Sequence, residues 1–107
     1  MPIKSPMKLQ WFHILLSLAE GDLHGYAIQR AVLDRTDGEM RLWPAMLYRS
    51  LATLADEGLI VSTEVPDDDA PDERRRYYSL TAAGRQRLKI EAELMSGWVE
   101  AARSVEQ

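Results

Sequence analysis

The chain has no cysteine, so it holds neither a disulfide framework nor a thiolate metal site, and it fits a reducing compartment such as the cytoplasm. It also lacks a long apolar run. The densest stretch, residues 11–19, is broken by His13 and Ser17 and falls well short of the roughly 20 apolar residues that cross a bilayer. No small-residue cleavage site follows an apolar segment near Lys4, so no secretion signal is expected. Internal repeats, low-complexity tracts and linkers are missing as well. So are the arrangements that catalysis needs: no serine sits in a nucleophile elbow and no glycine loop cradles phosphate. His13 and His24 have no companion at metal-ligand spacing and read as structural. The expectation is a protein that is not an enzyme and uses no metal or cofactor. What remains is one globular domain, 46% hydrophobic and 28% charged over 107 residues, with a core modest enough that a partner subunit would add useful burial.

A net charge of −4 would repel a polyanion if it were evenly spread. It is not. Asp67, Asp68, Asp69, Asp72 and Glu73 crowd into one short segment, and without these five the balance is slightly positive. Arg41, Arg49, Arg74, Arg75 and Arg76 then stand out. A solvated strand end paired to the acidic segment is the plain alternative for the last three.

Hydrophobic spacing divides the chain. Leu9, Phe12, Leu15, Leu16 and Ala19 predict a first helix over residues 7–20, stopped at Gly21. A second helix runs from about residue 24 or 25 to 35, with Ile28 and Val32 on one face, and Thr36-Asp37-Gly38 turns the chain. Residues 39–42 are expected to add a short strand. Pro44 suits the first position of a third helix, whose buried face is fixed by Leu47, Leu51 and Leu54 and which Gly58 ends. Residues 59–65 and 76–80 then form a hairpin around a loop over residues 66–73. Thr81 caps a last helix that reaches about residue 103. The fold class is mainly α with a small β-hairpin wing: a winged helix-turn-helix over residues 1–80 and a long C-terminal dimerisation helix over 81–107, compact as one domain.

A helix that enters the major groove reads base edges with its first turns. Here those turns offer Ala45, Met46, Tyr48, Arg49 and Ser50. Arg49 is the candidate for a bidentate contact to guanine, Ala45 or Met46 for a thymine methyl, and Tyr48 for a phosphate. The competing possibility is that Tyr48 packs inside and Met46 is plain core. In the wing, Arg74, Arg75, Arg76 and Tyr77 lie where a hairpin reaches a phosphate or the minor groove. Strand alternation carries Tyr78 inward with Leu80 and leaves Tyr77 more exposed. On the last helix Leu88, Ala92, Met95, Val99 and Ala102 repeat in steps of four and three, and Leu94 and Trp98 widen the stripe. The domain is too small to cover that much apolar helix, which predicts a homodimer with two reading heads about one DNA turn apart. Trp11 and Trp98 are candidates for an effector site at that seam, where a flat aromatic compound would fit, although packed tryptophans are more often core.

Taken in order, these residues resemble the PadR family of transcriptional regulators. The resemblance rests on Leu15-Leu16 with Leu18-Ala19-Glu20-Gly21, on His24-Gly25-Tyr26-Ala27-Ile28, and on Leu47-Tyr48 with Leu51 and Leu54. It continues through Glu57-Gly58-Leu59-Ile60 to Arg74-Arg75-Arg76-Tyr77-Tyr78, Leu80-Thr81 and Gly84. It implies a homodimeric, usually repressing regulator on inverted-repeat operators, of the short subfamily with one C-terminal helix, in which aromatic compounds bind near the dimer centre. Trp43-Pro44-Ala45-Met46 departs from the small and polar start that family members often carry there. A winged-helix module that binds protein rather than DNA is the alternative, and the acidic net charge favours it.

Overall fold

The computed structural model describes residues 3–66 and 74–105. In chain order it has α1 (Leu9–Leu18), β1 (Leu23–His24), α2 (Gly25–Arg35), α3 (Pro44–Asp56), β2 (Ile60–Pro66), β3 (Arg74–Leu80) and α4 (Ala82–Ser104). The acidic segment Asp67, Asp68, Asp69, Asp72 and Glu73 lies outside the described residues.

Apolar spacing puts the helices together. Ile14, Leu15, Ile28, Val32, Leu47, Leu51 and Leu54 are each at most 1% exposed. Those of α2 and α3 lie on the faces that the sequence marks as apolar, whereas α1 buries Ile14, Leu15 and Leu18 and leaves Leu9, which the sequence placed on its apolar face, 51% exposed. Pro44 opens α3 at its first position, where its missing N–H leaves no helix bond unmade. Gly58, at φ 74°, closes it. The Leu59 N–H returns to the Leu54 carbonyl at 3.0 Å and the Gly58 N–H to that of Ala55 at 3.0 Å. This pair of bonds satisfies carbonyls that the helix end would otherwise leave bare.

The sheet is antiparallel with β3 in the centre, in the order β1-β3-β2. The hairpin pairs Ile60 with Leu80 and Pro66 with Arg74 at its two ends. The third strand is not residues 39–42, as the sequence suggested, but Leu23–His24, which pairs with Tyr78 and Tyr77. Leu42 explains the difference. Its side chain is 1% exposed within the helical core and its carbonyl accepts a hydrogen bond from the Gln29 amide, so this segment is committed to the α2–α3 corner.

Thr81 joins two helix ends. Its hydroxyl accepts the Gly84 N–H at 2.9 Å, capping α4, and donates to the Gly58 carbonyl at 2.7 Å. Gly84 is required rather than merely tolerated, because a Cβ there would stand 2.0 Å from the Leu59 carbonyl oxygen.

The other end of the core is closed by a buried acid. Glu91 is 1% exposed. It accepts the Met7 N–H at 2.9 Å, the Ser5 hydroxyl, and the Arg87 Nε at 2.9 Å. Arg87 in turn donates to the Ile3 carbonyl at 2.7 Å. Together they fasten the segment before α1 onto α4. Burial alone would push the Glu91 carboxyl up, but the bonds from Ser5, Met7 and Arg87 outweigh it and hold the carboxyl below its ordinary value of 4.5. A carboxyl depressed in the folded state stabilises the fold above its unfolded pKa, and that stabilisation is lost as pH falls through the folded one. Glu91→Gln is therefore expected to cost roughly 2 kcal/mol at neutral pH and to flatten the acid limb of stability against pH. Urea unfolding from neutral to acid pH measures both, and a variant that keeps the parent's acid limb would show that Glu91 carries none of it.

Candidate nucleic-acid interface

The outward face of α3 follows from what the helix buries. Leu47, Ser50, Leu51 and Leu54 point inward, which leaves Ala45, Tyr48, Arg49 and Ala52 exposed. Ser50 is thus removed from the reading set. It is 4% exposed because it shares the inner face with Leu47 and Leu54, three residues before and four after it. Met46 is half-buried and packs against the core, so Ala45 is the exposed apolar group of the first turn. Tyr48 does not pack inside, being 54% exposed. Its phenol lies over the first turn of α2, where a Cβ on residue 25 would come within 2.6 Å of the Tyr48 hydroxyl. The His-Gly-Tyr step thereby gains a physical reason: a glycine there leaves room for the Tyr48 ring in this position, which a Cβ would displace.

The wing alternates as expected. Tyr78 is 7% exposed, and burial raises its phenol pKa, opposed by the Arg76 guanidinium and assisted by Tyr48. Arg75 and Arg76 are exposed and Tyr77 is half-buried. Arg74 opens β3. Arg76 donates to Glu64, its partner across the hairpin, at 2.9 Å, with both side chains about half exposed at 53% and 52%. A surface pair of this kind is worth about 0–1 kcal/mol, too little to keep Arg76 from a phosphate.

These parts share one cleft. His24 and Tyr26 of the α2 start, Tyr48 of α3, and Arg75 and Arg76 of β3 line a cavity of about 790 Å³. The α2 contribution is the part that sequence reasoning missed. His24 is the N-cap of α2, its Nδ1 accepting the Ala27 N–H at 3.2 Å. Its ring stacks on Tyr26 with centroids 6.4 Å apart and meets Tyr77 edge-on at 5.4 Å. The signal that could have found it is a histidine and a tyrosine flanking a glycine at a helix start. On the other side of α3, Trp11 and Lys8 line a small cavity with Met46, Arg49, Ser50 and Thr53. The Lys8 ammonium sits 5.0 Å over the Trp11 ring.

The last helix divides in two. Leu88, assigned from its spacing to the dimer seam, is 9% exposed and belongs to the core of its own domain; α4 packs there on α1 and β3. Beyond Glu91 nothing on α4 is fully buried. Trp98 is 51% exposed and Val99 48%, Ala92 and Ala102 are exposed, and Met95 is half-buried. Trp11 lies beside α3, and Trp98 on the outer half of α4. Among the described residues no helix is long and apolar enough to cross a membrane.

Comparison with known proteins agrees with this arrangement. An uncharacterized 37.1 kDa protein in transposon TN4556 of Streptomyces fradiae is 40% identical over 83 residues, 78% of this chain but 22% of that protein. The chain thus spans about a fifth of that relative's length. A transcriptional regulator from Clostridium thermocellum superposes with a TM-score of 0.76 at 28% identity, over 88% of this chain and 89% of that one. Bacillus subtilis PadR in complex with operator DNA superposes with a TM-score of 0.68 at 26% identity, over 77% of this chain and 45% of that one. Residues 14–90 match the transcriptional regulator PadR-like family, and the chain belongs to that family.

Proposed function

We propose that this chain is a repressor that binds inverted-repeat duplex DNA as a homodimer, with α3 in the major groove and the β2–β3 wing on the adjacent backbone. The observation that carries the proposal is the shared cleft, in which Tyr48 of the outward α3 face and Arg75 and Arg76 of the wing converge. An outward helix face beside neighbouring arginines offers base readout and phosphate neutralisation to one ligand. The Bacillus subtilis structure that superposes on this chain is a complex with operator DNA, which supports duplex DNA as the ligand. In this reading Ala45, Met46 at the groove edge, Tyr48 and Arg49 serve α3, and Arg74, Arg75, Arg76 and Tyr77 serve the wing. Ala92, Met95, Trp98, Val99 and Ala102 form the seam between subunits.

A gel shift on the duplex upstream of the chain's own gene tests this. Retardation is expected at low salt and should weaken steeply as salt rises, with random duplex of equal length bound roughly a thousandfold less tightly. Absence of any retarded species at low salt would leave the alternative, a module that binds protein. The seam also suits a flat aromatic effector against the half-exposed Trp98 indole. Such a compound would release DNA only by favouring a dimer with wrongly spaced heads. In this proposal Trp11 of one subunit and Trp98 of the other meet across the seam, and Trp11 also lies beside α3 of its own subunit.

A further inference from the structure

Trp43 stands at the N-cap of α3 with 63% of its surface exposed. Its neighbours hold it in place. Leu42 before it is locked in the core and its carbonyl is bonded by Gln29. Pro44 after it has a restricted φ, and the Trp43 carbonyl accepts the Leu47 N–H at 2.9 Å. The side chain is steadied as well, because the Arg41 guanidinium lies 5.3 Å from the ring centroid. A large apolar plate is thereby presented to solvent from a fixed backbone at the head of the proposed reading helix, with a cation on one face.

Resting on the reading of α3 as the groove helix, we infer that Trp43 determines specificity by packing its indole on a thymine methyl, with Arg41 reaching the flanking phosphate. The chemistry narrows the choice. In helix-turn-helix docking the N-terminal end of the reading helix contacts the base edges. The apolar group among those edges is the thymine C5-methyl. Ala45, exposed and two residues further on, is small enough to let the helix head come close. The Trp43-Pro44-Ala45-Met46 start thus replaces polar readout by apolar readout.

Deoxyuridine makes the test direct, since it differs from thymidine by the methyl alone. Duplexes are enriched from a randomised pool by the wild-type chain, and each thymine in the enriched site is then replaced in turn by deoxyuridine. At one or two positions in each half-site the wild-type chain is expected to lose roughly fourfold in affinity, the effect of one buried methyl-sized group. Trp43→Ala should bind the two duplexes alike, and Trp43→Phe should keep most of the discrimination. Arg41→Ala should keep most of it while lowering the salt slope by about one. Enrichment with no methyl-sensitive thymine, or with sensitivity that survives in Trp43→Ala, overturns the inference and leaves the docking of α3 untouched. Failure of the wild-type chain to enrich any duplex overturns both.

Discussion

Replacing Arg74, Arg75 and Arg76 together by alanine is expected to weaken binding to every duplex, operator and random alike, and to cut the salt dependence by up to roughly three units, one for each phosphate that the wing no longer neutralises. The geometry argues for a uniform effect. Arg75 and Arg76 line the cleft from β3, where in this proposal a backbone passes whatever its sequence. The Arg76–Glu64 pair is a weak obstacle to this role, since both partners are about half exposed and such pairs exchange readily with solvent or another anion. Glu64→Ala should therefore leave affinity unchanged or raise it slightly. Arg49→Ala should behave differently from the triple variant, because its position on the outward face of α3 suits a bidentate contact to guanine. It should relax preference at one base pair by about 1–3 kcal/mol and leave binding to random duplex close to that of the parent. A salt titration of all four proteins on operator and random DNA separates these outcomes. If the triple variant keeps the parent's slope, the wing does not hold phosphate.

The parts of this site that are legible in the sequence are those written in local pattern. The three leucines of α3, the proline before them and the glycine after them fix its face and both ends, and the alternation from Arg74 to Leu80 fixes which tyrosine is buried. What escapes is either too short or too distant. A strand of two residues, Leu23–His24, has no periodicity to find. Ser50 looks polar and hence outward, yet Arg35 and the α1 backbone are served by a different serine, Ser17, while Ser50 simply fills the inner face between leucines. Glu91 falls one helical step from Leu88 on the same apolar stripe, and its partners Ser5 and Met7 lie 86 and 84 residues away in the chain. No window of sequence contains both. The same remoteness misplaces Leu88, because the stripe of α4 is continuous while its surroundings change from core to solvent near Glu91. Trp43 illustrates the opposite case: its exposure is a tertiary fact, but the odd start of the helix is visible in the sequence itself.

A single glutamate in place of Val99 is expected to separate the dimer and, with it, most operator affinity. α4 is 23 residues long, about 35 Å, and only its first part is covered by its own domain. The outer half leaves Trp98 and Val99 about half exposed, a row of apolar surface that stays wet in a monomer. Burying a side chain of this size is worth about 1.5–3 kcal/mol, and a twofold interface counts each residue twice. Val99→Glu reverses that gain and sets a carboxylate from each subunit into the same seam. Val99 is a cleaner site for the test than Met95, since Met95 is half-buried already and a charge there could also disturb the subunit itself. Met95→Glu should nonetheless move association in the same direction. Two heads joined by a seam bind an inverted repeat roughly 10²–10⁴ times more tightly than one head binds half of it, so the Val99→Glu chain should bind the full repeat and the half-site nearly alike. Sedimentation at micromolar concentration reads association directly, and titration of the two duplexes reads its consequence. A wild-type monomer would remove the seam from the proposal. A Val99→Glu variant that stays dimeric would move the seam off the outer half of α4, and the exposed row there would then need a different partner.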